Sequence, residues 1–292
     1  MTLDEVVARV PGWGNARQVR AEPLAGGITN ENYRVEVDGQ HFVVRLGGRD
    51  AELLGIDRRR EWAALQVAAR LGIGAEVVFA LPDQAVLVTR WVAGTPLTNA
   101  DVGRPETLAR IAATLRHVHA ASPIRGAFSP FRVVEVYREV ALRHGVALPP
   151  AVDDWLACGR RIEAALGPAP AVLCHNDLLA GNLIDAAGTI RILDWEYAAM
   201  GDRFFDLANL AANAELGPAE ETRLLACYFE PAVGDVPPDA PARLALMRLA
   251  SDLREGMWGL VQVGISRLEF DFADDAARHF ARFATRAATI SL

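Results

Sequence analysis

The pattern of apolar residues changes near residue 91, and this change constrains the fold more than any other feature of the sequence. Up to that point, short runs of β-branched and aromatic residues are separated by turn-forming residues. After it, long Ala- and Leu-rich segments repeat apolar residues at helical spacing. The sequence therefore predicts an α+β fold with two lobes, a β-rich lobe over residues 1–91 and a mostly helical lobe over residues 92–292.

The first lobe is predicted to hold a five-stranded antiparallel sheet with one inserted helix. Residues 57–71 are typical of a helix, because Asp57 can cap its start and Gly72 can stop it. A short helix is also predicted over residues 2–10, before the sheet. The strand-like runs are VRAEPLAGG, ENYRVEVDG, HFVVRL, AEVVFA and QAVLVTRWV.

The second lobe is predicted to be helical except at two short strands, AVLCH and TIRILD. These strands flank a loop rich in polar residues and predict a hairpin-like unit whose polar side chains gather at one end. The predicted helices are a segment around residues 108–118 and the segments 151–166, 218–229, 241–263 and 273–288.

Composition narrows the class of protein. The chain has 292 residues, a net charge of −7, no apolar stretch of membrane-spanning length and no signal-peptide pattern. These features predict a cytoplasmic protein without membrane insertion, disfavour a nucleic-acid partner and carry no signal for an oligomeric state. The three cysteines lack the spacing of a disulfide framework or a zinc site. All 30 basic residues are arginine, so phosphate contacts must fall to arginine or to backbone amides.

The polar loop between the two short strands contains His175, Asp177 and Asn182 in the spacing H-x-D-x-x-x-x-N, and the next strand ends at Asp194. Protein kinases place a base and a magnesium ligand at this spacing, followed by a second magnesium-binding residue. Asp177 would accept or orient the proton of an attacking hydroxyl, and Asn182 and Asp194 would hold Mg²⁺ against nucleotide phosphates. The alternative is that these residues only cap turns and end a strand. The H-x-D-x-x-x-x-N motif, followed at a short interval by a strand that ends at Asp194, favours phosphoryl transfer.

The sequence resembles the aminoglycoside phosphotransferase and choline kinase family, which is related to the protein kinases. The resemblance runs from AGGITNENYRV to MWGLVQVGIS, and GGITNENY, CHNDLLAGNLI, LDWEYA and FFDLANL look most similar to bacterial choline or ethanolamine kinases. The resemblance implies a two-lobed protein-kinase-like fold, ATP and Mg²⁺ as cofactors, and a small-molecule acceptor. Choline and ethanolamine are the first candidates for this acceptor.

The loop AGGITN corresponds to the glycine-rich phosphate loop of a kinase. Gly26 and Gly27 would let the backbone approach phosphate, and Thr29 and Asn30 would offer side-chain donors. Read without the other motifs, the same loop is an ordinary hairpin turn.

Arg45 occupies the place of the kinase strand lysine that binds phosphate, and Glu61 on the following helix is its predicted ion-pair partner. Glu52 is an alternative partner. Arginine departs from the protein-kinase pattern but fits the choline-kinase-like enzymes that the sequence resembles. The alternative for Arg45 is an arginine at the sheet edge that extends to solvent.

Three further polar residues are predicted to be structural. Asp206 in FFDLANL is interpreted as a helix cap, and the resemblance implies that it braces the catalytic loop. The resemblance likewise gives His175 a supporting role. His117 and His119 point in different directions from one helix and are predicted to be packing residues.

A cationic acceptor is normally held by aromatic faces. The resemblance points to Tyr197 and Trp258 as two of them, and Phe272 is predicted as a third. The alternative for Trp258 and Phe272 is core packing between helices. Negative charge would come from Glu196, Glu215 or Glu255.

The acceptor remains open at this point. Better-known choline kinases carry further aromatic residues near Val261 and Asp275, and this chain has neither, which favours a primary amine or a larger cation such as thiamine. An aminoglycoside, a sugar and homoserine are the other acceptors considered. A nucleotide-binding pseudokinase that regulates a partner is the alternative of another class, and the intact base and metal residues speak against it.

Overall fold

The first lobe is built on a five-stranded antiparallel sheet, in a computed structural model that describes residues 1–24, 30–48 and 50–290. The strands are β1 (Val19–Leu24), β2 (Asn30–Val37), β3 (Gln40–Gly47), β4 (Val77–Leu81) and β5 (Val86–Arg90). They lie in the order β1-β2-β3-β5-β4, so the predicted sheet is confirmed. Asp38 and Gly39 join β2 to β3 with φ of 46° and 82°, the conformation that a tight two-residue hairpin requires.

One face of this sheet packs in a hydrophobic cluster, and the other face lies toward the cleft between the lobes. Successive residues of a strand point to opposite faces, so Val44 and its neighbour Arg45 face different environments. Val44 is buried with Phe42 and Trp13 in a cluster that also packs helix α1 (Leu3–Val7). Arg45 points instead toward the cleft between the lobes. Helix α1 is shorter than the predicted segment 2–10.

Helix α2 (Arg58–Arg70) agrees with the predicted segment 57–71. The Asp57 side chain caps it by accepting hydrogen bonds from the backbone N–H groups of Arg59 and Arg60. Buried residues of α2 belong to the same hydrophobic core as the helices of the second lobe. The helix therefore connects the sheet to the rest of the molecule, and the boundary at residue 91 stays a prediction.

Gly94 lies where the chain passes from one lobe to the other, just before strand β6 (Thr95–Pro96). Its φ is +156°, and a Cβ atom there would lie 2.5 Å from Ile184 Cγ2 and 2.6 Å from the Asp185 carbonyl oxygen. Only glycine lets the two backbones approach this closely.

Helices form the bulk of the second lobe, and among the described helices there is none whose length and apolarity suit a membrane span. Helix α5 is absent from the predicted segments, although its start has a Ser129 cap followed by proline. The helices are α3 (Asn99–Val102), α4 (Pro105–His119), α5 (Pro130–Arg143), α6 (Val152–Leu166), α7 (Arg203–Asn213), α8 (Pro218–Val233), α9 (Ala240–Ile265) and α10 (Phe272–Ala287).

Helix α9 is the centre of the second lobe, and most of its residues from Met247 to Gln262 are buried. Its glycines allow α10 to pack closely. A Cβ atom on Gly259 would lie 2.9 Å from Ala276 Cβ, and one on Gly256 would lie 2.7 Å from the Phe280 ring.

The short strands are paired differently from the prediction. They are β7 (Val172–Cys174), β8 (Leu183–Ala186), β9 (Thr189–Ile192) and β10 (Ala199–Gly201). The predicted hairpin-like unit joined β7 and β9, but β7 pairs with β10, and β9 pairs with β8. The reason is a tight turn at Ala187 and Gly188, with φ of 52° and 90°, which folds β9 back onto β8.

Candidate active site

A cleft of about 630 Å³ lies between the sheet of the first lobe and the short strands of the second. Both lobes contribute residues that the sequence predicted for the site. Those that line the cleft are Asn30, Arg45, Glu61, Asp177, Asn182, Asp194, Glu196, Tyr197, Glu255 and Trp258. Gly26, Gly27 and Thr29 of the predicted phosphate loop lie outside the described residues.

The cleft is acidic. Among the described residues that line it, six are aspartate or glutamate and three are arginine. This excess of carboxylates favours ligands that carry positive charge, such as a divalent cation or an ammonium group.

The loop that carries Asp177 is held in place by Asp206. The buried Asp206 carboxylate accepts hydrogen bonds from the backbone N–H groups of His175 at 2.8 Å and Asn176 at 2.7 Å. Asn176 adopts a left-handed conformation, with φ of 65°, which the two hydrogen bonds help to fix. His119 Nε2 donates to the same carboxylate at 3.0 Å, and the Tyr228 hydroxyl lies 2.7 Å from His119 Nδ1.

Two structural interpretations change as a result. Asp206 is not the cap of α7, because Asp202 caps this helix by accepting from the Phe204 N–H. His119 is more than a packing residue, since it holds the bracing carboxylate. The bracing role that the family resemblance implied for Asp206 agrees with these contacts.

His175 supports the loop from inside. Its Nε2 donates to the Leu193 carbonyl oxygen at 2.9 Å, so Nδ1 is the acceptor that faces the Asp177 N–H at 3.3 Å. Its ring packs edge-on against Trp195. Burial lowers the pKa of this imidazole, which favours the neutral form that the two contacts require.

Asp177 is held by an arginine that the sequence did not predict. Arg254 of α9 donates from Nη1 to Asp177 Oδ1 at 3.0 Å and to Glu255 Oε1 at 2.7 Å. Its guanidinium lies over the Tyr197 ring, 4.5 Å from the centroid. Burial raises the pKa of Asp177 to about 7, against the opposing effect of Arg254. The site therefore presents a carboxylate of raised basicity to the cleft.

Asn182 and Asp194 are brought together by the backbone. The Leu193 N–H donates to the Asn182 carbonyl oxygen at 2.8 Å, which ties the end of the loop to the residue before Asp194. Asn182 Nδ2 donates to the Asp177 carbonyl oxygen at 3.3 Å, so its side-chain oxygen is the atom left for a ligand. Depth in the cleft raises the pKa of Asp194, and Glu196 adds to the shift. A cation between these oxygens would relieve the repulsion.

Arg45 forms its ion pair with Glu61, which decides between the two partners that the sequence left open. The same guanidinium lies 3.7 Å from Asp194 Oδ1. Arg45 thus faces the carboxylate side of the cleft from the sheet, in the position expected of a phosphate-binding arginine.

Asn209 is a second residue that the sequence analysis missed. Its Oδ1 accepts from the Leu178 N–H at 2.6 Å, and its Nδ2 donates to Ser251 Oγ and to Glu255 Oε1, each at 3.1 Å. It links the loop that carries Asp177 to α9. The available signal was its place three residues after Asp206 on an otherwise apolar helix, because that spacing puts both side chains on one face.

One end of the cleft is aromatic. Trp258 Nε1 donates to the Tyr197 hydroxyl at 2.9 Å, and both side chains line the cleft. Phe272 is buried and packs edge-on behind Trp258, with ring centroids 5.9 Å apart. Phe270, which is 48% exposed, lines the cleft in its place.

The three glutamates considered for the acceptor have different positions. Glu196 and Glu255 line the cleft. Glu215 is exposed and lies 3.7 Å from Arg282, away from the described cleft lining. Asp275 of α10 also lines the cleft, and its carboxylate is paired with Arg278 at 2.6 Å.

The brace on Asp206 can be tested directly. We expect Asp206→Ala to lower the free energy of unfolding by about 2–3 kcal/mol and to lower kcat, because buried donors lose a charged acceptor. Asp202→Ala, at the N-cap of the same helix, should remove a helix cap and the ion pair with Arg243, lose about 1–2 kcal/mol and keep kcat. Denaturant unfolding and steady-state kinetics measure both variants. Equal effects on kcat would contradict a specific brace.

Comparisons with known proteins agree with this geometry. Residues 20–245 match the family described as Phosphotransferase enzyme family. Probable ethanolamine kinase A of Dictyostelium discoideum is 27% identical, over 94% of this chain and 88% of that protein. Human ethanolamine kinase 2 is 28% identical, over 94% of this chain and 77% of that protein.

Solved structures show the same fold. A choline/ethanolamine kinase family protein from Mesorhizobium loti superposes with a TM-score of 0.80 and 28% identity, covering 99% of this chain and 98% of that one. The choline kinase LicA from Streptococcus pneumoniae has a TM-score of 0.81 at 22% identity, covering 98% and 99%. The predicted two-lobed kinase-like α+β fold is therefore confirmed.

Proposed function

Because the chain belongs to the phosphotransferase enzyme family, we propose that it transfers the γ-phosphoryl group of ATP to the hydroxyl of a small amino alcohol, ethanolamine or choline. The observation that carries this proposal is the convergence of Asp177, Asn182 and Asp194 on one acidic cleft with an aromatic end. The extent of the match to proteins named ethanolamine kinases supports the acceptor class.

The part of the cleft under the sheet suits a nucleotide. Apolar side chains from both lobes line it and offer flat contact to a purine ring, while Asn30 and Arg45 lie on the side of the carboxylates. Arg45 would bind phosphate oxygens, since a guanidinium forms paired hydrogen bonds with them. The apolar lining includes Leu24, Val43, Leu87, Val92, Ile184 and Leu193.

The residues present fit Mg²⁺. Asn182 has a side-chain oxygen left for a ligand, and the Asp194 carboxylate is crowded by Glu196, so hard oxygen donors with excess negative charge face the same space. Asn182 and Asp194 would hold the ion, which supplies neutralisation of phosphate charge when bound.

Asp177 would act on the acceptor hydroxyl. It would orient the O–H and take its proton as the hydroxyl oxygen forms a bond to the γ-phosphorus and the bond to the bridging oxygen of ADP breaks. Arg254 and the backbone brace keep the Asp177 carboxylate aimed at the cleft. Its raised pKa suits a base that works near neutral pH.

The aromatic end would receive the ammonium group of the acceptor. Trp258 presents ring surface there, beside Tyr197, whose ring already carries Arg254 on one face. A cation over a ring face is attracted within about 6 Å of the centroid. Asp275 and Glu255 also line the cleft, each paired with an arginine of its own helix. An amino alcohol would thus be oriented with its hydroxyl toward Asp177.

An acceptor panel tests the proposal. We expect ADP release from Mg·ATP to depend on ethanolamine or choline, and the phosphorylated amino alcohol to be identified by mass spectrometry. Thiamine, an aminoglycoside, a sugar and homoserine form the rest of the panel. Trp258→Leu should raise KM for the amino alcohol about tenfold or more and leave KM for ATP unchanged, because it removes a ring surface from the acceptor end only.

The outcomes separate the candidate functions. Turnover with one of the other acceptors and not with an amino alcohol would keep the chemistry and reject the acceptor. ATP binding without turnover on any acceptor would favour a regulatory pseudokinase. Unchanged acceptor KM in Trp258→Leu would reject the aromatic end as the ammonium site.

A further inference from the structure

Consecutive arginines open α2, and two of them lie in opposite environments. The Arg58 side chain is 10% exposed and forms ion pairs with Glu61 at 2.9 Å and Glu196 at 3.0 Å. The Arg59 side chain is 75% exposed and pairs with Asp83 on the surface. Helix formation alone does not require this difference, so the burial of Arg58 calls for another reason.

Arg58 completes a chain of charges across the two lobes. Glu196 contacts Arg58, Arg58 contacts Glu61, and Glu61 in turn pairs with Arg45. Arg45 lies 3.7 Å from Asp194, two residues before Glu196 in the sequence. The two acids that follow β9 are therefore each linked to an arginine of the first lobe, and the two arginines share one glutamate.

Asn30 adds neutral hydrogen bonds to this chain. Arg58 Nη2 donates to Asn30 Oδ1 at 2.7 Å, and Asn30 Nδ2 donates to Glu196 Oε2 at 3.1 Å. Asn30 is the first residue of β2 and the last residue of the predicted phosphate loop. Arg58 thus contacts the sheet, its own helix and the strand end of the second lobe at the same time.

We propose that Arg58 is a positioning residue that fixes the sheet, with its phosphate-binding Arg45, against the metal-binding end of β9. This inference rests on the proposed nucleotide chemistry. Arg58 acts through Glu61 and Glu196. Its planar fork is what allows one side chain to serve two carboxylates and an amide. A lysine would keep the charge but has no fixed fork, so it could not maintain the same set of contacts.

Loss of Arg58 would leave buried carboxylates uncompensated at the contact between the two lobes. Glu196 and Glu61 would be left buried without one of their counter-charges, close to Asp194. Removing one partner of a buried ion pair is strongly destabilising because the other charge is left uncompensated. Here the repulsion between the remaining carboxylates would be relieved first by separation of the lobes. Separation would move Arg45 away from the space in front of Asp194, which weakens binding of a metal–nucleotide complex more than binding of the nucleotide alone.

The test compares Arg58→Gln and Arg58→Lys with the matched control Arg59→Gln. Calorimetry measures the dissociation constants of ADP with and without Mg²⁺, kinetics give kcat and KM, and thermal unfolding reports folding. We expect Arg58→Gln to weaken Mg·ADP binding and to lower kcat by about tenfold or more each, while Arg59→Gln stays within about twofold. Arg58→Lys should fold and show a smaller loss in the same two quantities.

A double variant distinguishes positioning from general destabilisation. If Arg58 acts in part through Glu196, the effect of Arg58→Gln on Mg·ADP affinity should be clearly smaller in a Glu196→Gln background than in the wild type. Wild-type values in both Arg58 variants, or full multiplication of the two effects in the double variant, would overturn the proposal. If Arg58→Gln does not fold, Arg58→Lys and its double variant decide. A wild-type protein without turnover on any acceptor would reject the proposed function, and the binding measurements would still test Arg58.

Discussion

Asp177→Asn is expected to lower kcat by about 10²–10⁴-fold with a proven acceptor, the range that a positioned proton acceptor contributes. Asparagine keeps the shape of the side chain and still accepts from Arg254, but it cannot take a proton from the acceptor hydroxyl. The nucleotide contacts proposed for Arg45 are not altered. Steady-state kinetics and calorimetry with Mg·ADP should therefore show a large loss in kcat and little change in nucleotide affinity.

The control for this variant is Asp154→Asn, which makes the same chemical change at an exposed position of α6. It should behave as wild type in both measurements. Full turnover in a folded Asp177→Asn protein would show that the carboxylate does not act as a base, and the assignment of the catalytic loop would have to be abandoned.

Arg254→Gln should have the second largest effect, on stability as well as on activity. The side chain is 1% exposed and contacts the carboxylates of Asp177 and Glu255, so its removal leaves two acids without their shared counter-charge. Breaking a buried pair in this way costs about 3–5 kcal/mol. Differential scanning calorimetry should show a melting temperature lower by roughly 6–20 °C for a chain of this size. The kcat should fall too, because Asp177 loses the contact that orients it.

Arg267→Gln is the matched control for Arg254, since it lies exposed just beyond the same helix. It should change neither quantity. Arg254→Lys keeps the charge but replaces the planar guanidinium over the Tyr197 ring with a compact ammonium group, and it should fall between the wild type and Arg254→Gln. A melting temperature and a kcat close to the wild-type values in Arg254→Gln would show that the two carboxylates do not depend on this arginine.

Much of the fold could be predicted from the sequence because strand periodicity, turn residues and helix caps are local features of the chain. The sheet of the first lobe follows from strand periodicity and turn residues, and α2 follows from its Asp57 cap and its stop at Gly72. Strand pairing in the second lobe was predicted wrongly. β7 pairs with β10, which begins 25 residues after β7 ends, and periodicity carries no information about partners so far apart.

The residues of the candidate site also divide into those that the sequence predicted and those that it did not. The residues proposed to carry the chemistry could be named because motif spacing is a property of the chain, and Asp177, Asn182 and Asp194 all line the cleft. Of the residues that hold them in place, Asp206 and His175 were named through the family resemblance, but others were missed. Arg254 and His119 approach the catalytic loop from other helices, and before folding nothing in their neighbourhood distinguishes them from surface or packing residues.

The sequence by itself determined which groups are available for phosphoryl transfer and the order in which strands and helices follow one another, because both depend on spacing along the chain. Only the tertiary structure decided which arginine meets which carboxylate, that Glu61 rather than Glu52 pairs with Arg45, and that Phe272 packs behind Trp258. Those contacts depend on how α2, α9 and α10 pack around the short strands. The charge balance of the cleft is set at that level, since burial and distance decide how strongly each charge acts.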